Sequence, residues 1–128
     1  MNDPSIRIKL NNVTKRFGIG DAEISALDNV DLTVKKGEFI AIMGPSGCGK
    51  TTLLNMIGLL DQPSDGEYYL DNRPVDFLTP RQRAQIRSKQ IGFIFQNFNL
   101  VPRLTVIDNV ALPLTYTGLG KIKRLQEG

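Results

Sequence analysis

Gly44-Pro45-Ser46-Gly47-Cys48-Gly49-Lys50-Thr51 decides how the rest of the chain is read. It fits the pattern G-x-x-x-x-G-K-[ST] at every fixed position. Before it lies the apolar run Phe39-Ile40-Ala41-Ile42-Met43, expected to be a strand buried on both faces. After it, Thr52 to Leu60 is rich in Leu, Met and Ile and reads as a helix that begins near Lys50. Strand, glycine-rich loop and helix in that order are the context of a phosphate cradle. Glycines at 44, 47 and 49 let successive N–H groups curl inward, and the helix adds its positive N-terminal end. Lys50 is then expected to reach the β- and γ-phosphates, and the Thr51 hydroxyl to ligate magnesium. Pro45, Ser46, Cys48 and Thr52 complete the expected site, and the expected ligands are ATP and Mg²⁺. The plainer alternative is a glycine-rich turn with an incidental lysine.

Outward from the loop, periodicity and turn chemistry give further elements. Ile6, Ile8 and Leu10 alternate with Arg7 and Lys9, and Val30, Leu32 and Val34 repeat the period of two expected of half-buried strands. Asp61 to Gly66 is dense in turn residues, and Tyr68, Tyr69 and Leu70 make a short strand. Thr79-Pro80-Arg81-Gln82 combines a cap, a proline at the first helical position and a glutamine three residues on, predicting a helix from about Pro80 to Gln90. Ile91 to Phe95 reads as another apolar strand, ending at Gln96. Thr105 to Asp108 repeats the capping pattern, opening a helix on Val106, Ile107 and Val110 that Pro113 ends. Lys121 to Gly128 is a basic tail.

Composition excludes several chemistries. The 128 residues carry no histidine, no tryptophan and one cysteine, so imidazole-based triads, histidine metal sites and internal disulfides are out. Cys48 could be reactive, being near a helix N-terminus and Lys50, or could simply be a small residue the loop tolerates. Sixteen basic against thirteen acidic residues is a mild excess without long charge runs, so nucleic acid is not an expected partner. Arg83 and Arg87, one helical turn apart, read as a solvated face or as an anionic contact. No run approaches the 18 or so apolar residues of a membrane span, and the start lacks a signal-peptide pattern. A cytoplasmic chain that meets a membrane through a partner is expected.

Three stretches around the loop carry a resemblance. They are Leu27 to Met43 (LDNVDLTVKKGEFIAIM), Asn55 to Glu67 (NMIGLLDQPSDGE) and Ile91 to Pro102 (IGFIFQNFNLVP). Together they resemble the ATP-binding subunit of ABC transporters, in particular the branch of lipoprotein release and macrolide export, from about Ile6 to Tyr116. The resemblance implies an α/β fold: a P-loop NTPase with an N-terminal antiparallel β part and a parallel core sheet flanked by helices. Residues 1–128 would be the N-terminal portion of one such domain. It places Phe17 where an aromatic stacks on adenine, although tyrosine is commoner there; the alternative is a core aromatic. Gln96 matches the glutamine that meets Mg²⁺ and the attacking water, at a strand end where such sites lie, or is an ordinary loop glutamine. Phe98, Leu100, Val101, Pro102 and Leu104 form an apolar loop that would receive a transmembrane subunit on the inner face of the membrane, or would be covered by the rest of the domain. A homodimer of ATP-binding subunits is implied as well.

Elements that the family uses for turnover are not found here: an apolar strand ending in Asp-Glu, a Leu-Ser-Gly-Gly-Gln signature and a later histidine. Asp61 imitates the first but lies eleven residues past Lys50, about 16 Å along a helix. Asp108 fits a cap better. The expectation is therefore a chain that binds Mg-ATP without turning it over. The alternatives are a soluble ABC-type ATPase acting on nucleic acid or ribosome, and a nonfunctional truncation.

Overall fold

Residues Ile6–Phe17 (β1) run through the middle of a four-stranded antiparallel sheet, flanked by Ile24–Lys35 (β2) on one side and Asp65–Leu70 (β3) on the other, with the short Arg73–Pro74 (β4) at the edge. The computed structural model describes residues 3–97 and 99–117. The chain divides into two compact units, Met1–Arg83 and Ala84–Gly128; the sheet belongs to the first.

Both alternating segments of the sequence lie in long strands, paired Ile8 to Val34, Leu10 to Leu32 and Val13 to Val30. The register shifts between Leu10 and Val13, where Asn12 adopts φ 49° and its N–H donates to Asp31 Oδ1 at 2.7 Å. This bulge moves the buried face from Leu10 to Val13 and Thr14 instead of to position 12. Thr14 is buried with its hydroxyl accepting the Asn29 N–H. On the other side Leu10 faces Tyr68 and Ile8 faces Leu70. Asp71 and Asn72 both take left-handed φ, the geometry of a tight two-residue hairpin, and turn β3 into β4.

The helix after the glycine loop spans Lys50–Ile57 (α1). It buries Met56, with Leu59 just beyond it, and the buried Tyr68 hydroxyl donates to the Ile57 carbonyl at 2.7 Å. One hydrogen bond thus ties the end of α1 to β3. Burial holds the Tyr68 phenol above its ordinary range.

After α1, Asp61 accepts from Lys15 Nζ and the Gln62 N–H, each at 2.8 Å, and Lys15 also donates to the Gln62 carbonyl. Desolvation opposes ionisation of Asp61, but the bonds from Lys15 and Gln62 and the charges of Lys15 and Arg83 outweigh it, leaving the carboxyl below the usual range. Such a group stabilises the fold above its unfolded value near pH 4, and the contribution fades as pH falls through the lower folded value. Asp61→Asn is expected to lose about 0.5–1 kcal/mol at pH 7, the scale of a partly solvated pair. The difference from the parent should narrow as pH falls below the unfolded value. Urea unfolding at neutral and at acidic pH checks this, and a gap that does not narrow on acidification would contradict it.

The residues Pro80–Gln90 (α2) and Val106–Ala111 (α3) are both opened by the caps their sequences predict. The Thr79 N–H donates to Gln82 Oε1 and the Gln82 N–H to Thr79 Oγ1. At α3, Thr105 Oγ1 accepts the Asp108 N–H and its hydroxyl donates to Asp108 Oδ2 at 2.7 Å. A 3-10 segment, Leu112–Thr117, follows α3 and contains Pro113.

Two apolar runs depart from expectation. Phe39 to Met43 and Ile91 to Phe95 belong to no ladder among the described residues, and Phe39 is 95% and Ile94 fully exposed. A parallel strand exists only through neighbours on its edges, and among the described residues neither run has one. The sheet described is thus the antiparallel part alone. Arg83, in the first unit, is half-buried with its charge acting on Asp61, so it is not a bare solvated residue.

Candidate functional site

The glycine loop enters α1 through Gly49, the helix N-cap, at φ 97°. A Cβ there would lie 2.4 Å from the Ala26 carbonyl oxygen and 3.1 Å from Leu27 Cδ2, so the loop lies directly against β2 at a point where only glycine fits. Leu53 N–H donates to the Gly49 carbonyl at 2.9 Å, closing the first helical turn. Gly47 takes φ 80° in open space, and a Cβ on Gly44 would meet Cys48 Sγ at 2.5 Å. Across this curl the Lys50 ammonium bonds the Gly44 carbonyl and, at 2.7 Å, the Pro45 carbonyl, with Cys48 Sγ at 3.6 Å. Pro45, Ser46 and the free thiol of Cys48 are exposed, as is Thr51 in the first turn of α1, whereas Thr52 is half-buried. The structure therefore gathers residues 44 to 52 in one exposed loop and helix start around one ammonium group.

That arrangement fits a polyphosphate. Its ingredients are a cation on a mobile stem, a curled backbone and the N-terminus of an eight-residue helix. Among the described residues no group of three or more Asp, Glu or Cys side chains converges to hold a metal. A magnesium ion at such a loop takes its ligands largely from phosphate and water, needing only one or two from protein.

Phe17 ends β1 and is 45% exposed. Lys15 Nζ lies over its ring, 5.1 Å from the centroid. Spacing two residues apart on a strand puts both side chains on one face, a signal that sequence reading passed over.

In the second unit Gln96 is exposed after the stacked rings of Phe93 and Phe95, whose centroids are 5.5 Å apart. Phe98 lies outside the described residues, as does the basic tail. Leu100, Val101, Pro102 and Leu104 line one side of an apolar groove of about 490 Å³, with Val106, Asn109 and Val110 on α3. Asn109 fixes this loop: its amide donates to the carbonyls of Val101, Leu104 and Thr105, and its Oδ1 accepts the Val101 N–H at 2.8 Å. The capping pattern revealed α3 but not this clamp, which depends on carbonyls that only the folded loop brings together. Asp108, which caps α3, is accounted for without any catalytic part.

Comparison with known proteins agrees with this architecture. The family model described as ABC transporter matches residues 27–127. The ABC transporter ATP-binding protein MJ0796 of Methanocaldococcus jannaschii is 53% identical over 109 residues, covering 85% of this chain and 46% of that protein. The macrolide export ATP-binding/permease protein MacB of Syntrophobacter fumaroxidans is 47% identical over 113 residues, 88% of this chain and 16% of its own length. A solved dimeric structure of the ATP-binding cassette MJ0796, in a post-hydrolysis state bound to ADP and Pi, superposes with a TM-score of 0.84 at 48% identity, covering 93% of this chain and 53% of that one. The chain thus spans about half or less of the length of these relatives. On a family match across most of its length, and with a glycine loop and antiparallel sheet built as the sequence predicted, the chain belongs to the ABC transporter family, among its ATP-binding proteins.

Proposed function

We propose that residues 44 to 52 bind the polyphosphate of ATP with Mg²⁺. The observation that carries this is the Lys50 ammonium, held by hydrogen bonds to Gly44 and Pro45 within a curled loop at the start of α1. Gly44, Pro45, Ser46, Gly47, Cys48, Gly49 and Thr52 supply the backbone cradle and its walls, Lys50 the cation, and Thr51 a ligand for magnesium. When bound, that ion would offset phosphate charge. Phe17 is the platform for the base. The groove beside Leu100 to Leu104 would receive a transmembrane subunit, with the protein on the inner face of the membrane, and two ATP-binding subunits would pair. Names of relatives support both readings: the MJ0796 cassette is described as dimeric and MacB as joined to a permease. Among the described residues no helix is long and apolar enough to cross a membrane. The 128 residues are read as carrying the phosphate-binding part of one ATP-binding domain.

Cys48 gives a direct test, because its exposed thiol lies in the cradle beside Lys50. Mg-ATP is expected to slow maleimide labelling of Cys48 several-fold. Equal labelling rates with and without nucleotide would refute the assignment.

A further inference from the structure

Lys15 stands out among the groups that the nucleotide reading leaves unused. Its side chain is only 13% exposed although it is a lysine, and a buried ammonium needs partners. It has two at 2.8 Å, Asp61 Oδ1 and the Gln62 carbonyl. These anchors come from the segment that follows α1, so the ammonium is fixed from outside its own strand. From that position it lies over the Phe17 ring. Arg16, next along the strand, is engaged elsewhere: it pairs with Glu23 at 3.6 Å.

We infer that Lys15 is the positioning residue of the base subsite: anchored by Asp61 and Gln62, it covers one face of the Phe17 ring and leaves the other to take the adenine. The inference rests on the reading of Phe17 as base platform. An exposed aromatic at a strand end samples several rotamers, and each base stacked on it must select one. A cation fixed against one face restricts that choice before the base arrives, so part of the ordering cost of binding is already met. The ammonium also excludes a base from that face, which makes stacking one-sided.

The test compares ATP with inorganic tripolyphosphate, which has the charge but no base, by titration calorimetry with Mg²⁺. Phe17→Ala should weaken ATP binding about tenfold, the scale of one base stacked on an aromatic. Lys15→Met keeps the aliphatic stem and should weaken ATP binding about three- to fivefold. Both should leave tripolyphosphate binding unchanged, the double variant should bind ATP no more weakly than Phe17→Ala, and Lys15→Arg should restore the parent value. If Phe17→Ala weakens ATP binding and Lys15→Met does not, the role of Lys15 is overturned and the base platform stands. If Phe17→Ala changes nothing, the platform reading falls and the inference with it. Equal loss of ATP and tripolyphosphate in Lys15→Met, or additive losses in the double variant, would make Lys15 a general structural residue and also overturn the proposal. A parent chain that binds neither ligand would overturn the nucleotide reading itself.

Discussion

Lys50→Ala is expected to remove most of the affinity for Mg-ATP, a fall of about 10- to 100-fold, the scale of charge-assisted hydrogen bonds. Two losses combine. The phosphates lose the cation that projects from the loop, and the carbonyls of Gly44 and Pro45 lose the donor that draws them together. Lys50→Met keeps the stem and removes the ammonium, so it separates these two losses from any contribution of the stem itself. If the cation dominates, Met and Ala should weaken binding alike. Lys50 is half-buried and lies outside the apolar core, so the urea midpoint should move little in either variant. ATP affinity unchanged by Lys50→Ala would remove the central support for the nucleotide reading.

Gly49→Ala should be the more damaging change to the fold. At φ 97° a side chain is disfavoured by about 1–2 kcal/mol, and its Cβ would press within 2.4 Å of the Ala26 carbonyl oxygen. Backbone cannot yield as a flexible side chain does, so the loop must move away from β2, for a total of about 3 kcal/mol. Gly47→Ala provides the comparison. It has φ 80° but nothing within 4 Å of the added carbon, so it should lose only the conformational part, about 1–2 kcal/mol. Urea unfolding of the two variants measures the difference, and equal losses would mean that the contact with Ala26 is relieved at no cost.

What the sequence reveals here is whatever depends on neighbours along the chain. The two helix caps are legible because Thr79 with Gln82, and Thr105 with Asp108, satisfy each other within one turn. The glycine loop is legible for the same reason, since its spacing is local. Strand pairing is a different matter. Phe39 to Met43 and Ile91 to Phe95 have the composition of buried strands, yet composition states only that a segment gains from burial, and a ladder needs a second segment alongside. The bulge at Asn12 was likewise invisible to alternation counting, because a single left-handed residue resets the period. Lys15 was missed because its partner Asp61 is 46 residues away, and Asn109 because its acceptors converge only once the loop has folded.

The bond from the Tyr68 hydroxyl to the Ile57 carbonyl gives the molecule an optical property. The chain has no tryptophan and three tyrosines, so its longest-wavelength ultraviolet band is tyrosine's, the six phenylalanines absorbing weakly at shorter wavelength. One of those phenols is buried at the far end of the helix that begins at Lys50. If that helix detached from the sheet, the ring would enter water, its absorption band would shift and its hydroxyl would become free to ionise in mild alkali. While it is docked, burial holds that ionisation back. The phosphate-loop helix therefore carries a built-in chromophore at its anchored end, and its attachment can be followed without a label.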